Sequence, residues 1–166
     1  MKTHYIKSIF IATILAIICV TKAYSAEVWY PEDGSWNGTA PACAGDCGNS
    51  KFAWCVGMNP GCAYSDAYSP PGFGDYCSSG RKAYCVMTAL YPQVTDYKRL
   101  NEVGTWRGTA PSCSGSCNTN EFALCRSMDG KGCAYSNSVN GKELNGFGSS
   151  CWSGRKAFCV PISYIE

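Results

Sequence analysis

The sequence holds one histidine, His4, and it sits in an amino-terminal stretch that reads as removable. Lys2 and Lys7 flank the start of the apolar run 8–20, and Ala23-Tyr24-Ser25 supplies small residues at both positions of a cleavage site. Residues 1–25 are therefore expected to be a signal peptide. Ala16-Ile17-Ile18 lacks the small residues that precede a lipidated cysteine, so Cys19 reads as a passive residue lost with the leader. A mature chain without histidine excludes Ser-His and Cys-His nucleophiles and a histidine general base. Long apolar runs are missing after the leader, so no membrane span is expected in the mature chain. Charge excess is missing as well. Taking Lys2, Lys7 and Lys22 from the 14 basic residues leaves 11 against 12 acidic ones, a net of about −1. That balance excludes the strongly basic surface of a nucleic-acid binder. No stretch carries sustained helical periodicity.

What the chain does have is cysteine. Of the 13 cysteines, Cys19 goes with the leader and 12 remain, an even number in an exported chain, which is the composition of a disulfide framework. They fall into two copies of one pattern. Trp36 to Val86 aligns with Trp106 to Val160, with over half of the positions identical. The first copy carries Cys43, Cys47, Cys55, Cys62, Cys77 and Cys85, and the second Cys113, Cys117, Cys125, Cys133, Cys151 and Cys159. The spacings are C-x3-C-x7-C-x6-C-x14-C-x7-C and C-x3-C-x7-C-x7-C-x17-C-x7-C. Three disulfides within each copy and none between copies are expected, with the pairing left open. A module of roughly 50 residues buries too little apolar surface to hold itself together, and each bridge contributes about 2–4 kcal/mol.

The expected fold is small, disulfide-rich and mainly β, with two tandem homologous modules and little or no helix. The division is 26–86 for the first module, 87–104 for a semi-ordered connector and 105–166 for the second. "KFAWCV" (51–56) and "EFALCR" (121–126) read as strands with Ala and Cys on one face. "YCSSGRKAYCV" (76–86) and "SCWSGRKAFCV" (150–160) read as hairpins turning at Ser-Gly. "GFG" at 72–74 and 146–148 reads as a bend whose Phe packs inward or stacks outward.

The duplication also filters candidate chemistry, since a site of the original module should recur. No carboxylate does: Asp46 aligns with Ser116, Asp66 with Asn137 and Asp75 with Ser149. The chain is therefore read as a non-enzyme. No metal or cofactor is expected, because exported cysteines oxidise and no calcium-loop run of oxygen ligands is visible. The recurring aromatics are Trp36/Trp106, Phe52/Phe122, Tyr64/Tyr135, Phe73/Phe147 and Tyr84/Phe158, and the Trp and Phe residues read as miniature cores. The recurring charges are Arg81-Lys82 and Arg155-Lys156. Tyr64, Arg81, Lys82, Tyr135, Arg155 and Lys156 are thus the candidate ligand-binding residues, able to stack on sugar rings and to meet acidic groups. A second class of aromatics lies outside the repeat: Trp29, Tyr30, Trp54, Tyr68 and Trp152, suited either to ligand contact or to packing between modules. Asn37-Gly38-Thr39 is an N-glycosylation acceptor without a counterpart at Arg107.

The motif W-x-G-T-A-P-x-C-x-G-x-C, closed by S-G-R-K-A-[YF]-C-V, resembles small exported cysteine-rich modules that occur singly or in tandem in extracellular proteins. The resemblance implies an extracellular module and carries no mechanism. The opening also resembles the end of a sushi domain. Here it begins the module, and six cysteines stand where a sushi domain has four, so that fold is not transferred.

The sequence thus reads as a secreted (in a bacterium, periplasmic), monomeric, two-module binding protein for carbohydrate or glycoconjugate ligands. Duplicated weak sites gain avidity on a repetitive ligand surface. A disulfide-stapled effector or inhibitor directed at an extracellular protein surface is the alternative, and a structural extracellular component is a third reading.

Overall fold

The computed structural model describes residues 29–166, so the expected signal peptide lies outside the described residues. The first copy forms β1 (Ser35–Asn37), β2 (Ala42–Ala44), β3 (Lys51–Gly57) and β4 (Ser79–Met87). The second repeats them as β5 (Thr105–Arg107), β6 (Ser112–Ser114), β7 (Glu121–Ser127) and β8 (Ser153–Pro161). In each copy the last strand is the hub. β4 pairs antiparallel with β1 and β3 and parallel with β2, and β8 does the same with β5, β7 and β6. The protein is mainly β and disulfide-rich. No helix among the described residues is long and apolar enough to cross a membrane.

The disulfides close each copy on itself in one pattern, first to fifth, second to sixth and third to fourth. They are Cys43–Cys77, Cys47–Cys85 and Cys55–Cys62, then Cys113–Cys151, Cys117–Cys159 and Cys125–Cys133. The opening motif earns its glycine from this geometry. The amide of Gly45 donates to the Arg81 carbonyl at 2.8 Å, and a side chain there would meet the Lys82 carbonyl carbon at 2.7 Å.

Two local expectations are corrected. Ser79-Gly80 and Ser153-Gly154 are not hairpin turns but the first residues of β4 and β8. Gly80, at φ +67°, lies opposite Cys43 in the parallel pairing, where a Cβ would collide with the Cys43 carbonyl. The glycine kinks a strand that continues. Second, Ala53 and Cys55 do not share a face. A bulge at Trp54 leaves two residues opposite one and shifts the register, so Ala53 packs with Val56 and Ala83 while Cys55 turns to the other face with Phe52 and Trp54. β7 has the same irregularity between Ala123 and Cys125.

The connector is ordered and helical in part. Two 3-10 turns, Thr88–Leu90 and Pro92–Thr95, lead into α1 (Tyr97–Val103). The Asp96 carboxylate caps α1 by accepting the Arg99 amide at 3.2 Å. Val94 and Leu100 are fully buried. Asn101 ties α1 to the second copy, donating to the Glu143 carbonyl and accepting the Asn145 amide, both at 2.8 Å.

Both copies and the connector share one core. Phe52, Trp54, Tyr84 and Val86 from the first meet Phe122, Leu124, Phe158 and Val160 from the second. The Trp54 ring stacks on Phe122 with centroids 4.7 Å apart. The Tyr84 hydroxyl donates to the Pro31 carbonyl at 3.0 Å. Burial holds its ionisation above that of an ordinary tyrosine, partly offset by the Gly34 amide. An acid raised in this way makes a contribution to stability that is fully present below about pH 10 and is lost as pH climbs through the raised value. Tyr84→Phe, which installs the residue found at Phe158, is expected to cost about 0.5–1.5 kcal/mol at neutral pH by urea denaturation. It should also lessen the alkaline loss of stability.

Candidate functional site

The structure divides the six expected binding residues into two sets. Lys82 and Lys156 run inward, each 6 % exposed. Lys82 donates to the Phe73 carbonyl and Lys156 to the Phe147 carbonyl, both at 2.6 Å, with the ammonium groups 4.7 and 4.6 Å from the ring centroids of those residues. Each lysine therefore clasps the GFG loop of its own module, whose Phe packs edge-on against Trp36 or Trp106 at 4.7 and 4.8 Å. The strand pattern buries these ammonium groups, and both are occupied by backbone. The Lys82 and Lys156 positions are scaffold.

Tyr64 and Tyr135 cross between the copies. The Tyr64 carbonyl accepts the Cys117 amide and the Tyr135 carbonyl accepts the Cys47 amide, both at 2.8 Å. The rings follow. Tyr64 packs on Cys117, Ala123, Ala157 and Cys159 of the second copy, and Tyr135 on Cys47, Ala53, Val56, Ala83 and Cys85 of the first. Each "CAYS" loop is thus an arm laid on the small-residue face of the opposite sheet, where Ala and Cys leave room for a ring. Both tyrosines remain half-buried. Over them sit the repeated arginines, with Arg81 5.7 Å from the Tyr64 ring centroid and Arg155 5.8 Å from that of Tyr135.

A third guanidinium, unforeseen from the sequence, completes the seam. Arg126 lies in β7 where the first copy has Val56, and it is 1 % exposed. It donates to the Ala53 carbonyl at 2.9 Å and the Trp54 carbonyl at 3.3 Å, closing the bulge of β3 across the module boundary. Its ring neighbour is Tyr64, 5.6 Å away. Burial lowers its pKa to about 10, with Tyr64 and Tyr135 acting in the opposite sense. The group stays charged at neutral pH. Arg126→Val should cost about 1.5–3 kcal/mol, since two buried carbonyls lose a charged donor. Thermal denaturation of the variant checks this. The one available sign was a cation closing the otherwise apolar run "FALCR".

Among the described residues the ion pairs are Arg99–Glu102 at 2.6 Å and Arg107–Glu121 at 2.9 Å. Arg81, Arg126 and Arg155 therefore have no carboxylate partner there. Arg81 and Arg155, both half-buried, hold their guanidinium groups on aromatic rings, able to attract anionic and polarised oxygens. Cys117, Glu121 and Cys159 stand close enough to suggest metal ligation, but the two sulfurs form a disulfide and Glu121 accepts from Arg107. They offer no thiolate. Compared with protein-family models, curated proteins and solved structures, the chain matches none.

The unmatched aromatics separate as well. Trp54 is core, and its indole N–H donates to the Tyr68 carbonyl at 3.4 Å. Trp29 rests edge-on against Trp54 at 5.4 Å, and Tyr30 stacks on Tyr68 at 5.5 Å. Trp152, next to the Cys113–Cys151 bridge, is 86 % exposed. Trp29 and Tyr68 line a cleft of about 610 Å³ between the first copy and the carboxy-terminal residues of the second.

Proposed function

We propose that this is an exported, monomeric two-module binding protein for carbohydrate or glycoconjugate ligands that carry acidic groups. The observation that supports it best is the duplicated Arg-over-Tyr pair, Arg81 on Tyr64 and Arg155 on Tyr135, with neither arginine engaged by a described carboxylate. A guanidinium held on a ring meets carboxylate or sulfate oxygens in two parallel hydrogen bonds. The arms fix the two pairs relative to each other, so a repetitive ligand engages both without fresh ordering of the protein. Six disulfides suit an oxidising compartment, in agreement with export.

A glycan array probed with the oxidised protein tests this reading. Uronate-bearing or sulfated glycans are expected to bind over neutral ones, and Arg81→Gln with Arg155→Gln should weaken binding at least about tenfold, a loss of roughly 1.4 kcal/mol. Absence of any glycan binding overturns the reading. Tyr64→Ala is a poor probe, because it removes an arm that holds the modules together.

One observation favours a protein-directed role instead. Trp152 stands almost free on a disulfide-anchored turn, the kind of rigid aromatic anchor that inhibitors insert into a partner. Loss of inhibition across a protease panel on Trp152→Ala would support that alternative.

A further inference from the structure

The inter-module cleft has a chemistry opposite to that of the arginine seam. Its walls are Trp29 and Tyr68, its polar groups include Thr119, Asn120 and Ser163, and Asp66 and Glu166 supply its charge. No lysine or arginine is among its described lining residues. Trp29 packs edge-on against Trp54 and Tyr68 stacks on Tyr30, so little side-chain freedom is lost when a ligand enters. Asn120 holds a left-handed backbone at φ +65°, with its carbonyl accepting the Ile162 amide at 2.8 Å. That bond sets the carboxy-terminal residues beside the cleft.

The two sides of the seam differ. On the far side the Ser136 hydroxyl donates to the Lys51 carbonyl at 2.6 Å and Ser138 joins the same carbonyl at 2.8 Å, closing the gap. On the cleft side the matching Ser65 hydroxyl is buried without a partner among the described residues, as is that of Ser69, and neither lines the cleft. A volume near 610 Å³ lies within the range of about 300–1,000 Å³ typical of small-molecule sites.

We infer that this cleft binds a free-amine sugar, whose ring rests on Trp29 and Tyr68, whose hydroxyls meet Thr119, Asn120 and Ser163, and whose ammonium faces Asp66 and Glu166. Charge complementarity selects this occupant. Two carboxylates without a lining cation repel uronates and sulfates and attract an ammonium, and an indole face adds cation–π attraction. This site is separate from the arginine seam and does not rest on it.

Titration of the oxidised protein with a glucosamine tetramer and with its N-acetylated counterpart, by calorimetry and tryptophan fluorescence, tests the inference. The free-amine tetramer should bind more tightly, and added salt should weaken it. Asp66→Asn with Glu166→Gln, two substitutions of exposed side chains, should lower its affinity at least about tenfold. Arg81→Gln with Arg155→Gln should not weaken it, which separates failure here from failure of the acidic-glycan reading. Equal affinity for both tetramers, no binding of the free-amine form, or indifference to the Asp66 and Glu166 substitutions overturns the inference.

Discussion

Full reduction of the six disulfides is expected to unfold the protein at neutral pH and ambient temperature. In each copy two bridges close long loops, with separations of 34 and 38 residues in the first and 38 and 42 in the second. The third closes only 7 or 8. Loop-closure entropy assigns about 4 kcal/mol to each long bridge and about 2 kcal/mol to each short one. Their combined contribution exceeds the roughly 5–15 kcal/mol by which domains are ordinarily stable. The strands cannot compensate, because β1, β2, β5 and β6 are three residues each and rely on the bridges to stay against their hubs. Near-ultraviolet circular dichroism before and after reduction gives the answer, and a retained native spectrum would count against it. The bridges should also rank. Replacing Cys47 and Cys85 by Ala ought to destabilise more than replacing Cys55 and Cys62.

The second large effect is expected from Trp54→Ala, at about 3–5 kcal/mol. Trp54 is fully buried, stacks on Phe122 of the other copy, braces Trp29 and donates to the Tyr68 carbonyl. Its loss should empty the shared core and slacken one wall of the cleft. Because that core spans both copies, the variant should still unfold in a single transition, shifted to lower urea. Two separate transitions would mean that the modules are energetically independent.

Much of the scaffold could be read from the chain because duplication exposes constraint. The twelve cysteines, the strands at 51–56 and 121–126 and the core role of Trp36, Phe52, Phe122 and Phe158 all recur, and recurrence follows from packing that each module needs. The helix escaped notice for a physical reason. Seven residues make two turns, too few for a 3.6-residue period to stand out. The bulge at Trp54 was hidden because an extra residue in one strand is visible only against its partner.

The candidate site was legible in part, and for an instructive reason. Recurrence singled out Tyr64, Tyr135 and the Arg-Lys pairs, yet it does not distinguish contact with a ligand from contact with the other copy. Lys82 and Lys156 recur because each clasps a GFG loop, and the tyrosines recur because each serves as an arm. The cleft has the opposite history. Asp66, Tyr68 and Asn120 stand opposite Asn137, Val139 and Ser50, so recurrence does not mark them, and Trp29 and Tyr68 show only as unmatched aromatics.

The exchanged arms also have a consequence for assembly. Contacts in which Tyr64 meets the second copy as Tyr135 meets the first have the form of an isologous dimer interface, here enclosed within one polypeptide. Such an interface is saturated by two partners. Each arm already fills the receptor of the other, so the closed chain satisfies this contact within itself, and only a chain whose modules have parted could offer it to another.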